Sequence, residues 1–295
     1  MRRTSQGEGI AVWALFAADV LAVLVVYSLV EPERLRNVSH EGLPGGLSRA
    51  LVQLNFPVAL VVILVVLLAL AALPRRAWWL GGPALTLCAV VAWPGVVDQD
   101  DFDARVVNAI PALGVALAIP LTVAAVGRAG TAFAPPRRGD RARLAAAAVA
   151  VVVSLPWFAA ELGFHFPPWV FLTDEPYREP GHPVTAAVHL GHHHGFAGTL
   201  FFLSALLLSR PAVTGARLRV VYGFLVSLLL VYGATNLVQD LWHEQVVKRG
   251  WTGFDIPEAI VPRPHVIWLM MLGAAAALYA LGFARPPAAG DNPAQ

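Results

Sequence analysis

Lysine and cysteine are almost missing from this chain, each occurring once, as Lys248 and Cys88. A single thiol rules out an intramolecular disulfide and any thiolate-only zinc or iron–sulfur site. Inside an apolar run, Cys88 reads as a small buried residue. Charge is scarce as well: Asp, Glu, Lys and Arg make up 14% of the 295 residues, against roughly 25% in soluble domains. The 21 basic residues are scattered and nearly all Arg, which argues against a nucleic-acid surface and gives no expectation of a nucleic-acid partner. A mean hydropathy of +0.64 excludes a disordered, collagen-like or disulfide-stapled secreted chain.

Apolar runs of about 20 residues recur along the whole sequence, too long for strands and long enough to cross a bilayer as helices. They predict an all-α, polytopic membrane helix bundle forming a single integral membrane domain over residues 1–295. Eight spans are expected, near 10–30, 51–73, 77–97, 108–127, 143–164, 190–209, 218–241 and 264–284, with a tail over 285–295. Pro94, Pro111, Pro120 and Pro156 are expected to kink or start helices. The first run is too long, and lacks a small-residue cleavage site, for a signal peptide.

Charge sets an expected orientation. With the N-terminus in the cytoplasm, the inner segments hold thirteen basic residues against three acids, and the outer ones eight against fifteen. This is the positive-inside pattern, with both termini cytoplasmic. An integral plasma-membrane protein follows, and all nine His residues fall on its extracytoplasmic side or at helix ends facing that side.

Four groups there could carry chemistry. In His189-Leu-Gly-His192-His193-His194, helical spacing would put His189 on one face with His192 or His193, and imidazole is a common metal ligand. In Asn236-Leu-Val-Gln-Asp240-Leu-Trp-His243-Glu244, the residues Asn236, Asp240 and His243 share a helical stripe, with Glu244 beside them. Glu161 and His165 lie four apart at another outer helix end. Asp98, Asp100, Asp101 and Asp103 form an acidic loop suited to hard cations. His265 opens the last helix and could reach the same outer cavity. Mid-span in the first helix, Asp19 costs a few kcal/mol, roughly 2.5–3.5 on insertion scales, and Gln53 and Asn55 are its expected partners.

Several stretches resemble known membrane enzymes. His189-Leu-Gly-His192-His193 is similar to the His-x-x-His-His box of membrane desaturases and hydroxylases, whose further boxes this chain lacks. Asn236, Asp240 and Glu244 resemble an Asn/Asp pattern of membrane prenyltransferases, which in that family faces the cytoplasm. Residues 239–266, from Gln239-Asp240-Leu-Trp242-His243 through Arg249 to Pro264-His265-Val266, resemble the copper-site segment of the C subunit of copper membrane monooxygenases. That last resemblance implies copper ligands at Asp240, His243 and His265, with an Asp–His spacing of three rather than four.

The residues therefore point to a metal-dependent membrane enzyme, an oxidoreductase or hydrolase acting on a lipid-like or small apolar substrate. Its metal, copper, zinc or iron, would be held by His165, His189, His192, His193, Asp240, His243 and His265. Glu161, Asp240 and Glu244 would serve as catalytic carboxylates. Two other classes compete with it. A metal or small-solute transporter would need polar groups through the spans. A non-catalytic accessory subunit would have membrane-protein partners.

Overall fold

The computed structural model describes residues 4–35, 38–93, 95–97, 101–178, 181 and 183–283. It is all-helical apart from a two-residue antiparallel pair, β1 (Pro176–Tyr177) with β2 (Thr185–Ala186). The helices are α1 (Gly7–Leu29), α2 (Gly42–Gln53), α3 (Ala59–Ala72), α4 (Trp78–Ala89) and α5 (Ala109–Ala129). They continue with α6 (Asp140–Val153), α7 (Leu155–Glu161), α8 (His194–Leu208), α9 (Ala216–Trp242) and α10 (Val266–Gly282).

Helix occurs in every one of the eight apolar runs, but its lengths differ from those expected. Four stretches are long and apolar enough to cross a membrane: 7–29, 42–72, 106–129 and 216–247. A fifth arises if α6 and α7, bent by 57°, count as one. At 12, 15 and 17 residues, α4, α8 and α10 fall short of the usual span of about 20. The causes are local. Gly191 at φ +104° and an extended His193 delay α8 to residue 194. Pro156, in the first turn of α7, follows the bend at Ser154, and Pro120 lies inside α5. Pro94 and the tail over 285–295 lie outside the described residues.

Two π-helical turns lengthen the longest stretches. Residues Leu54–Val58 join α2 to α3 around Pro57, whose ring removes a backbone donor. Residues His243–Val247 extend α9. The core is a continuous apolar cluster centred on α3, including Val61, Leu64, Val65 and Leu68, with Phe196, Phe201, Val226 and Leu229 from α8 and α9. Outward, Leu21, Val25, Ile119, Val123, Val149, Leu269 and Met270 stay exposed. Exposed aliphatic side chains on this scale mark a surface made for lipid rather than water.

Polar side chains concentrate at the two ends of the bundle. At one end, Arg210 binds Glu8 at 2.9 Å and Asp140 at 3.2 Å. Glu8 also accepts the Ala134 N–H, and Arg143 reaches Ser209. At the other end, Ser48 accepts the Ala104 N–H, and Asp103 bonds Ser39 and His40. The side chain of Gln245 grips both the N–H and the carbonyl of Leu172. From one end to the other runs α8, packed along α9.

That α8–α9 packing is unusually close. A Cβ on Gly198 would meet Gly233 O and Leu237 N at 2.8 Å, and one on Gly233 would meet Phe202 N at 2.6 Å. Small residues let two helix backbones approach in this way. The approach delivers the first turn of α8 to the last turns of α9.

Candidate metal centre

At that meeting point, one ligating atom each of His193, Asp240 and Glu244 lies within 4.8 Å of the others. Among the described residues it is the one His, Cys, Asp or Glu group so close. Asp240 and Glu244 stand four apart and share a helical face. His193 arrives as the extended N-cap of α8, and Gly191 N–H ties its loop to the Ala160 carbonyl at the end of α7.

Each of the three is held from behind. His193 Nε2 lies 2.8 Å from the His189 carbonyl, which can only accept, so Nε2 carries the proton and Nδ1 faces Glu244 Oε1 at 3.0 Å. The Trp157 indole N–H donates to Glu244 Oε2 at 2.5 Å. The Gly195 N–H, one of the free donors at the start of α8, donates to Asp240 Oδ2 at 2.5 Å. Carbonyl-oriented imidazoles and hydrogen-bonded carboxylates are the usual second-shell support of metal ligands.

Two carboxylates and one imidazole make a donor set that could hold a metal ion. Burial pulls the His193 imidazole down, but Glu244, with Asp240 and the His189 carbonyl, outweighs it and lifts the pKa to about 8. Without a metal ion His193 is therefore protonated and paired with Glu244, and a metal ion would take the place of that proton.

The other expected residues lie elsewhere. His189 stacks on the His193 ring at 4.3 Å and supplies a backbone carbonyl. His192 points away, 3.5 Å from Glu161, and burial holds its imidazole below the ordinary range. The expected Glu161–His165 pair does not form: Gly163, at φ +82°, turns the chain, and His165 pairs with Asp174 at 2.9 Å. His243 leaves the Asn236–Asp240 stripe and pairs with Asp255 at 2.6 Å. His265 is the exposed N-cap of α10, accepting from Ile267 N–H. Hence the copper-site resemblance would draw on Asp240, His243 and His265, which do not form a close group. In the acidic loop, Asp101 pairs with Arg105 and Asp103 with His40, while Asp98 and Asp100 lie outside the described residues, as does His182.

Asp19 has its expected partner, accepting from Gln53 Nε2 at 2.6 Å. Asn55 instead donates to the Leu51 carbonyl. Sequence reasoning missed Trp157, Gly195 and Arg49. For Gly195 and Gly198 the presence of small residues in an apolar helix was a usable signal of close packing. An Arg at the edge of a long apolar run was another. Nothing local marked Trp157 as a donor.

No protein-family model, curated protein or solved structure matches this chain.

Proposed function

We propose that this chain is a metal-dependent integral membrane enzyme, a hydrolase whose zinc ion is held by His193, Asp240 and Glu244 at the extracytoplasmic face. The support from behind given to all three ligands carries this reading. Imidazole with two carboxylates and no sulfur suits zinc better than copper(I), and three protein ligands leave a position open. Zinc there would lower the pKa of a bound water and polarise a substrate oxygen. Transport would need ligands along a path, whereas the described residues offer one close group.

The position favours chemistry at the membrane surface. The stretch 216–247 has 32 residues, about ten more than a bilayer core requires, so Asp240 and Glu244 in its last turns reach the headgroup level. A groove of about 330 Å³ is lined by Glu175, Tyr177, Lys248, Arg249 and Trp251, and Lys248 connects it to the metal group. Lys248 there donates to the Ala187 carbonyl at 2.5 Å and also acts electrostatically on Glu244. Exposed Trp169, Trp251 and Phe254 suit an interface. The groove would take the polar end of a lipid-like substrate. Eight crossings with both termini cytoplasmic, the arrangement that the positive-inside charge count favours, complete the proposal.

Elemental mass spectrometry on untagged, detergent-purified protein tests it. Near-stoichiometric zinc is expected in the wild type and in a His189→Ala/His243→Ala variant, and its loss in Asp240→Asn and His193→Ala. Absence of metal after reconstitution, or full retention in Asp240→Asn, would reject the reading.

A further inference from the structure

Behind the metal group lies a second set of buried polar side chains, contributed by four parts of the fold. They are Asp19 and Tyr27 of α1, Arg49 and Gln53 of α2, Glu161 of α7, and His192 of the loop before α8. Each is at least nine-tenths buried. Arg49 Nη2 donates to Gln53, and Gln53 donates to Asp19. The ring of Phe102 covers the outer end, 4.3 Å from the Arg49 guanidinium and edge-on to His192 at 5.5 Å.

Three atoms of this set lack a direct partner among the described residues. Asp19 Oδ1, Arg49 Nε and Glu161 Oε1 are buried without a hydrogen bond, whereas Glu161 Oε2 faces His192 Nδ1 at 3.5 Å and the Tyr27 hydroxyl faces Arg49. Each such group costs about 1–3 kcal/mol if left unpaired. Arg49 acts electrostatically on both Asp19 and Glu161, yet no carboxylate oxygen of a described residue comes within the 4.0 Å of an ion pair. That separation is the one a bridging water fills.

Chemistry narrows the occupant. It must accept from Arg49 and donate to Asp19 and Glu161. Two carboxylates oppose an anion, and the guanidinium opposes a metal ion. Water does both jobs, and buried waters commonly make about three such bonds. On α1 the buried residues that follow Asp19 toward the N-terminus are the apolar Phe16 and Val12, so the polar set is taken to end at Asp19 and the chamber to be blind.

We propose that this chamber holds a short file of water molecules that passes protons between the outer end of the bundle and the Asp19 carboxylate in the interior of α1. Each transfer moves one proton from a protonated water to the next, the last to an Asp19 oxygen. The carboxylate becomes a carboxylic acid and water is regenerated at each step. No metal ion is needed, so the idea stands or falls apart from the hydrolase reading.

The test is infrared spectroscopy of chelator-treated, full-length protein in lipid nanodiscs at acid pH. The Asp19 carboxylic acid band is assigned by its loss in Asp19→Asn. Should that variant fail to fold, a shift in Gln53→Met, which removes the donor to Asp19, assigns it instead. On transfer to heavy water the band should shift within seconds, and at least tenfold faster in Phe102→Ala. Exchange over hours, in step with core backbone amides, would overturn the proposal. So would a transmembrane proton leak in proteoliposomes that Asp19→Asn abolishes, since a blind chamber cannot conduct.

Discussion

Trp157 is fully buried, and its indole N–H is the donor behind Glu244. Phe at this position keeps most of the ring volume and removes only that donor. One Glu244 oxygen is then left buried without its partner, a cost of about 1–3 kcal/mol, and the carboxylate is free to swing from its ligating orientation. Trp157→Phe should weaken zinc binding roughly 10–100-fold, the usual effect of losing an outer-shell partner, while the helical content is unchanged. Competition titration against a chelator measures it, and wild-type affinity would show that the indole does not support the ligand. Asp240, Glu244 and His193 were legible in the sequence because ionisable groups stand out in an apolar chain. His243 could not be separated from them, because its partner Asp255 comes twelve residues later and the π turn decides which way each side chain faces.

Among elements, the α8–α9 contact sets the geometry of the centre, since it brings the Gly195 N–H to Asp240. Adding one methyl group at Gly233 must push the backbones apart, because backbone atoms of Phe202 and Gly198 stand in its way. Gly233→Ala should cost about 1–3 kcal/mol, the usual range for overpacking, and should weaken zinc binding with it. Gly273→Ala on α10, where a Cβ meets nothing within 4 Å, should be neutral in both. Denaturant unfolding in detergent, read beside the zinc titration, makes the comparison; equal effects would deny the crossing its positioning role. The helices themselves were legible from the length of the apolar runs. Their ends were less so: α8 was expected from 190 and starts at 194 because the His189 carbonyl is used by the His193 ring rather than by a helix. The run 77–97 ends in a 3-10 turn at Val90–Ala92, which hydropathy alone does not reveal.

For the whole molecule, the polar ends differ in kind. The Glu8–Arg210–Asp140 knot gathers segments from the Arg-rich side of the charge count, and the metal group gathers segments from the acidic side. Because Cys88 is completely buried, a Cys88→Ala background with one added thiol can locate each end. An impermeant thiol reagent applied to intact cells should label Trp251→Cys. Ala212→Cys, in the exposed turn beside Arg210, should be labelled only after permeabilisation. Labelling of both from one side would refute the proposed topology.

The π turn at His243–Val247 has a meaning in terms of descent. A π turn is what an α-helix becomes when it absorbs one inserted residue. Remove that residue and everything after it rotates by about 100°. Gln245 would then lose its grip on Leu172, and Lys248 would leave the groove, while Asp240 stayed where it is. A single insertion or deletion in this turn, which also carries Glu244, would thus be enough to undo the metal group together with the Gln245 contact to Leu172.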